Sequence, residues 1–186
     1  MGEIYFEKAH KWCKMNYANI KFNDIANGIG VRTSLFVSGC RNCCEDCFNK
    51  ETWNFNFGEP YTAKIEEQIL KSLAPSYVSG LTVLGGEPLE KENQSAVLGL
   101  IKRVKAEYPN KTVWIFSGFT YDEIMGESRI SSPLAREILS LADVLVDGRF
   151  ERDKKNIALK FRGSENQRII DLKQTNASKS VVLWEE

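Results

Sequence analysis

Ser38-Gly39-Cys40-Arg41-Asn42-Cys43-Cys44-Glu45-Asp46-Cys47-Phe48-Asn49-Lys50 holds four of the chain's five cysteines, all between positions 40 and 47. The stretch directly follows Thr33-Ser34-Leu35-Phe36-Val37, an apolar run of the kind that forms a buried strand. One loop cannot bury four thiols in a core, so thiols this dense point to a metal or cluster site. The loop also marks the end of a strand, and the architecture can be read outward from it.

The same pattern recurs downstream. Leu81 to Leu84 is a short apolar run ending in Gly85-Gly86-Glu87-Pro88. Val113 to Phe116 ends at Ser117-Gly118, and Val144 to Val146 ends at Asp147-Gly148. Helical periodicity fills the gaps. A helix capped by Thr62 reaches about Ala74, with Ile65, Ile69 and Leu73 on one face and Glu66 and Glu67 in its first turns. A second runs from about Asn93 to Tyr108 along a Val97, Ile101, Val104 stripe, and a third lies near Leu134 to Leu141. Strand and helix in alternation imply a parallel sheet covered by helices, with ligands beyond the C-terminal ends of the strands. The chain is too short for eight such units, so the expected fold is α/β, an incomplete (β/α) barrel with a mostly parallel sheet and helices outside. The cysteine loop and the Gly-Gly-Glu-Pro loop should then converge at one edge. Ile20 to Phe22 reads as a short strand ahead of this region, and Ile169-Ile170 and Val181 to Leu183 as late ones. Trp53 to Pro60 and Arg149 to Asn166 read as irregular.

Composition narrows the function classes. At 186 residues the chain suits one domain with one substantial core. Lys plus Arg equals Asp plus Glu at 25 each, so no basic surface suggests nucleic acid or a membrane face as partner. Met1 to Tyr17 lacks the apolar centre of a signal peptide, and no stretch has membrane-spanning length. The expected location is cytoplasmic, where thiols stay reduced. An odd number of clustered cysteines argues for metal binding over disulfides. The lone His10, with Trp12 and Cys13, reads as surface or partly packed, since no second titratable group accompanies it.

Cys40, Cys44 and Cys47 have the spacing Cys-x3-Cys-x2-Cys. Three thiolates on a tight loop can each hold one iron of a four-iron cube and leave the fourth iron open, as a catalytic centre needs. With a strand before it and Gly-Gly-Glu-Pro after the next strand, this spacing resembles the radical S-adenosylmethionine (SAM) superfamily. Further stretches narrow the likeness: Phe48-Asn49-Lys50-Glu51-Thr52-Trp53, Val144-Leu145-Val146-Asp147-Gly148-Arg149-Phe150 and Phe161-Arg162-Gly163-Ser164-Glu165-Asn166-Gln167-Arg168. Together they resemble the activating proteins of the anaerobic (class III) ribonucleoside-triphosphate reductase, from about Asn16 to Leu172. On that likeness, 1–186 is a single radical SAM domain, with 1–15 and 173–186 as terminal extensions.

The resemblance implies an oxidoreductase with a [4Fe-4S] cluster on Cys40, Cys44 and Cys47 and SAM bound at the fourth iron. Reductive cleavage of SAM would yield methionine and a 5′-deoxyadenosyl radical, which takes a hydrogen atom from a glycine of the reductase. Asp46, Cys47 and Phe48 match the segment that runs along SAM, and Gly85, Gly86 and Glu87 match the loop that meets its amino group. Asp147, Ser117 and Arg162 are further candidates for lining the site, with strand-end capping and surface pairing as their structural alternatives. The implied partners are the reductase and, as electron donor, reduced flavodoxin. Catalytic residues beyond the cluster and SAM are not implied.

Two features depart from the family pattern. Cys43 creates a second reading, Cys40-x2-Cys43-x3-Cys47, although Cys44 fits the superfamily order and aligns Phe48. Glu45-Asp46 stands where the family commonly has Pro-Gly, placing two carboxylates by an anionic cluster or out in solvent. Three alternatives stay open. One is another small SAM-cleaving enzyme, activating a different glycyl-radical enzyme or forming a deazaguanine. A second is a structural four-cysteine zinc module, although such modules usually use two separated pairs. The third is a Cys44-x2-Cys47 dithiol oxidoreductase, which would leave Cys40 unexplained.

Overall fold

A computed structural model describes residues 15–185; His10, Trp12 and Cys13 lie outside the described residues. Seven strands form one open sheet in the order β3-β1-β2-β4-β5-β6-β7. These are β1 (Asn16–Asp24), β2 (Val31–Val37), β3 (Glu59–Pro60), β4 (Val78–Gly85), β5 (Thr112–Phe116), β6 (Val144–Asp147) and β7 (Arg168–Asp171). The central strands β2, β4, β5 and β6 pair in parallel, with Val37 beside Gly85, Val83 beside Ile115 and Phe116 beside Val146. β1, β3 and β7 extend the sheet with antiparallel pairings. The fold is therefore mixed α/β, and its sheet is not a closed barrel.

Among the described residues there are five α-helices: α1 (Ala63–Leu73), α2 (Lys91–Glu107), α3 (Tyr121–Met125), α4 (Pro133–Leu141) and α5 (Leu172–Ser178). Thr62 caps α1 by accepting a hydrogen bond from the Ile65 N–H, and Ile69, Leu70 and Leu73 turn inward. All five helices contribute to one core, on the sheet face that carries Leu35, Val37, Leu81, Val83, Val113, Ile115 and Leu145. The alternate strand residues face the other way. There Trp114, Val144 and Val146 pack with Phe116, Phe161, Ile169 and Trp184, so the second face is covered by irregular chain rather than by helices. No helix among the described residues is long and apolar enough to cross a membrane.

Several boundaries differ from the expectation. The Ile20–Phe22 strand is part of the longer β1, whose other residues, Asn16, Tyr17, Ala18, Asn19, Asn23 and Asp24, give no apolar run to read. Trp53 to Pro60 is not wholly irregular, because a 3-10 turn (Lys50–Trp53) precedes it and the two-residue β3 closes it. Val181 to Leu183 is not a strand; it offers a single bridge, Leu183 to Ile170. Helices α3 and α5 were not expected, and both are short and capped. Thr120 and Glu123 form a reciprocal capping box at α3, and Asp171 caps α5.

Candidate functional site

The parallel strands deliver four loops to one edge, and a cavity of about 630 Å³ opens there. Its apolar floor is Leu84, Phe116, Val146 and Phe161, on the helix-free face. Cys40, Cys44 and Cys47 line it, as do Asp46, Phe48, Gly85, Gly86, Glu87, Ser117 and Arg162. Cys40, Cys44 and Cys47 are half-buried, whereas Cys43 is exposed and outside the cavity wall. Asp147 does not line it. Its carboxylate is buried at the end of β6, where it accepts hydrogen bonds from the Tyr121 N–H at 2.7 Å and from Arg168 at 2.6 and 3.0 Å.

Backbone contacts weld the cysteine loop to the Gly-Gly-Glu loop. The Gly86 N–H donates to Val37 O at 2.8 Å, and the Glu87 N–H donates to Gly39 O at 2.8 Å. On the other side of the loop the Gly39 N–H donates to Thr52 O at 2.7 Å and the Cys40 N–H to Trp53 O at 3.2 Å. Buried Asn93, at the start of α2, donates through Nδ2 to both Ser38 O and Glu87 O. Gly86 is required by this close approach: a Cβ there would lie 2.7 Å from Gly39 O and 3.1 Å from Thr52 O. Both neighbours are backbone and cannot swing aside. Gly86→Ala should therefore lower the apoprotein's melting temperature by on the order of 5 °C and reduce iron uptake on reconstitution. An unchanged melting curve would show that the two loops are not held this tightly.

Glu87 is fully buried, and its carboxylate is turned into the protein. Oε1 accepts from the Leu89 N–H and the Ser117 hydroxyl, both at 3.0 Å. Oε2 accepts from the Gly118 N–H at 2.8 Å and from Asn42 Nδ2 at 3.4 Å. Burial pushes this carboxyl up to about 7 against the pull of those donors. The side chain thus ties the β4 loop to the β5 loop and to the cysteine loop, leaving the backbone of Gly85 and Gly86 on the cavity wall. Glu90, also buried, anchors the other flank. It accepts from the Arg41 N–H and side chain and from Arg129, which also donates to Asn42 Oδ1.

Asn93, Glu90, Arg129 and Asn42 escaped the sequence reading, as did Arg152. Arg152 sits in the segment after β6 and pairs with Glu45 at 2.7 Å and Asp46 at 3.2 Å. The two acidic side chains of the cysteine loop are therefore partnered across the cavity mouth. Phe48 and Ile157 line that mouth with 98 % and 94 % of their surfaces exposed.

The donor set fits a cluster. Burial pushes the Cys40 thiol up to about 12, with Glu87, Glu90 and Cys44 adding to the effect and the Asn42 backbone opposing it. Burial also raises Cys44, whose sulfur receives the Phe150 N–H. A bound metal reverses such shifts by taking the thiolate as ligand. Among the described residues no three His, Cys, Asp or Glu side chains converge as around a single ion. A cube in which each cysteine takes its own iron asks that the three cysteines border one cavity, and Cys40, Cys44 and Cys47 line the same one.

A family model described as a 4Fe-4S single cluster domain matches residues 26–170. An anaerobic ribonucleoside-triphosphate reductase-activating protein of Pasteurella multocida is 44% identical over 157 residues, covering 83% of this chain and 96% of that one. The chain belongs to the anaerobic ribonucleoside-triphosphate reductase-activating protein family. Other family members of the same name, from Escherichia coli K12 and phage T4, are each 38% identical. They cover 86% and 83% of this chain and 100% and 93% of their own. The matches extend over nearly the full length of these relatives, and the family model's span of 26–170 includes the cysteine loop, the Gly-Gly-Glu-Pro loop and the segment after β6.

Proposed function

We propose that this chain is an iron–sulfur radical SAM activase that generates a glycyl radical on an anaerobic ribonucleoside-triphosphate reductase. The observation that carries the reading is the shared cavity: Cys40, Cys44 and Cys47 line it with Gly85 and Gly86, while Cys43 stays outside. In this reading the three cysteines hold a [4Fe-4S] cluster with its fourth iron open to SAM, and the open sheet is the partial barrel of the radical SAM type. Bound there, the cluster would supply one electron for reductive cleavage of the SAM sulfonium to methionine and a 5′-deoxyadenosyl radical.

This chain's own residues do the rest. Leu84, Phe116, Val146 and Phe161 give the reacting end of SAM a dry floor. Gly85 and Gly86 let the backbone approach the amino group without an intervening side chain. Asp46, Cys47 and Phe48 run along the ligand, with Asp46 held by Arg152. Phe48 and Ile157 at the open mouth offer apolar surface to the glycine-bearing segment of the reductase. Reduced flavodoxin is the proposed electron donor, and the cytoplasm the proposed location.

The test is anaerobic reconstitution with iron and sulfide, then incubation with SAM, a reductant and the reductase, read by electron paramagnetic resonance. A glycyl radical signal that requires both SAM and the chain is expected. SAM cleavage without a glycyl signal would move the reading to another small SAM-cleaving enzyme. A colourless protein that retains zinc would end the radical reading altogether.

A further inference from the structure

A second concavity lies on the helix-free face, beside the strand-end cavity and outside it. It is an open groove of about 580 Å³. Ile25, Ile29 and Val31 form one wall, from the connection between β1 and β2. Lys160, Phe161 and Trp184 form the other, from the irregular chain. Among the described residues Lys160 is the one charged side chain in these walls. Ile25 is 74 % exposed and Ile29 44 %. Apolar side chains gathered in an exposed concavity mark a contact surface, whereas scattered ones do not.

Both walls are held in place from beneath. Arg32 is fully buried in β2, and its Nη1 donates to Ile29 O at 3.2 Å. Its other donors reach Thr82 Oγ1, Leu81 O and both oxygens of Thr112, so the loop carrying Ile25 and Ile29 is tied to β4 and β5. The Thr82 hydroxyl adds a bond to Asn27 O at 2.8 Å. On the other wall Trp114 meets Phe161 edge-on at 5.4 Å and Trp184 at 6.0 Å. A surface fixed in this way needs little ordering when a partner arrives, which favours binding.

The groove is continuous with the cavity. Phe161 belongs to both walls, on a left-handed backbone with φ +59° that costs an aromatic residue energy. On the opposite side Ala26 and Asn27 line the cavity, while their neighbours Ile25 and Gly28 line the groove. A chain segment that enters the cavity therefore finds its apolar continuation here. The protein's own first residues start elsewhere. Met15 sits at the cysteine-loop end of β1, where its carbonyl accepts from the Tyr61 N–H and that of Asn16 from the Ser38 N–H. The nine-residue β1 puts roughly 30 Å between that point and the groove.

We infer that this groove docks the reductase, receiving bulky apolar side chains that flank its target glycine while the glycine itself lies in the cavity. The inference rests on the activase reading above. Ile25 and Ile29 are then anchors for the partner, and Phe161 is the ridge over which the partner's chain passes from cavity to groove.

The experiment titrates the cluster-loaded, full-length protein with the reductase in the presence of SAM, by anaerobic calorimetry. It compares wild type, the double variant Ile25→Asp with Ile29→Asp, and Leu134→Asp, an exposed apolar position on α4 at the helical side. The double variant should bind the reductase on the order of 10-fold or more weakly, as loss of apolar anchors does. It should give correspondingly less glycyl radical at sub-saturating reductase. Its iron content, melting temperature and SAM cleavage without the reductase should match wild type, and Leu134→Asp should match wild type throughout. Unchanged reductase affinity in the double variant would overturn the inference, as would equal weakening in Leu134→Asp. Two further results would overturn it by giving the groove another occupant. A changed mass of the free double variant by light scattering, with reductase affinity kept, would assign it to a second copy of the chain. A lower melting temperature in both the double variant and a protein lacking residues 1–14, again with affinity kept, would assign it to those residues. If the wild type cleaves SAM but binds no reductase, the activase reading itself fails, a result distinct from a wild type that binds and variants that match it.

Discussion

Cys44→Ala should abolish cluster binding and all activation, while Cys43→Ala should keep full iron and sulfide content. The two residues are adjacent in sequence, yet the fold puts them in different surroundings. Cys44 is half-buried in the cavity wall, its sulfur receives the Phe150 N–H, and burial raises its pKa. Cys43 is exposed and outside the wall, on a left-handed backbone with φ +47° that turns the chain between its neighbours. In the proposed ligand set, removing one of three thiolates would leave an iron without its protein ligand, and the free energy of metal binding to the loop would be lost with it. The measurement is iron and acid-labile sulfide per chain, with the visible spectrum, after identical anaerobic reconstitution. The reverse outcome, loss in Cys43→Ala and retention in Cys44→Ala, would establish the Cys40-x2-Cys43-x3-Cys47 ligand set instead. Because the Cys40 thiol is pushed up to about 12, loading must displace its proton and should be faster at higher pH in wild type and in Cys43→Ala.

The legible parts were those carried by local pattern. The four parallel strands are short apolar runs that end in glycine loops, because strands buried on both faces need no alternation. Helices α1, α2 and α4 show because their apolar stripes are long enough to repeat. Strand β7 reads as a late strand at Ile169-Ile170, but its antiparallel direction does not show in the sequence. Its two apolar residues are visible, but the chain reaches it from β6 through an irregular excursion rather than a helix, and this permits the antiparallel pairing. Helix α3 did carry a signal, Thr120 three residues before Glu123, and is simply too short for a stripe.

The site divides in the same way. Cysteine spacing and the Gly-Gly-Glu-Pro loop are local and could be read directly. The supports are not local: Asn93 reaches Ser38 across 55 positions, Ser117 reaches Glu87 across 30, and Arg152 reaches Glu45 across 107. Hydrogen bonds at such separations follow from the sheet bringing strand ends together, and no spacing rule announces them. The role of Glu87 changes most. In sequence it reads only as part of the loop that meets the SAM amino group, and the fold has its carboxylate hold three loops in place.

Glu87→Ala should yield a protein that has lost most of its capacity to hold the cluster, and Glu87→Gln should reveal why. The alanine variant leaves the Leu89 and Gly118 N–H groups, the Ser117 hydroxyl and Asn42 Nδ2 without their acceptor, and it frees Asn42 within the cysteine loop. At about 1–3 kcal/mol for each buried donor stranded, that is enough to detach the loop even where the sheet survives. The glutamine variant is subtler, because either amide orientation turns an NH2 toward a backbone N–H, from Leu89 or from Gly118. One donor is then orphaned in any case. The pH dependence separates this effect from charge. The carboxyl sits at about 7 in the fold against an ordinary 4.5, so the folded protein holds a proton there that the unfolded chain has released. Ser117 is the one partner able to accept that proton, which places it on Oε1. Stability from this group is thus fully present below about pH 4.5 and is lost as pH rises toward 7. The gap corresponds to about 3 kcal/mol. Urea unfolding of the apoprotein across that range should show wild-type stability declining with this slope and Glu87→Gln lacking it, so that the two converge near neutral pH. Parallel pH profiles in wild type and Glu87→Gln would mean that the carboxyl is already ionised in the fold, and that the four donors outweigh its burial.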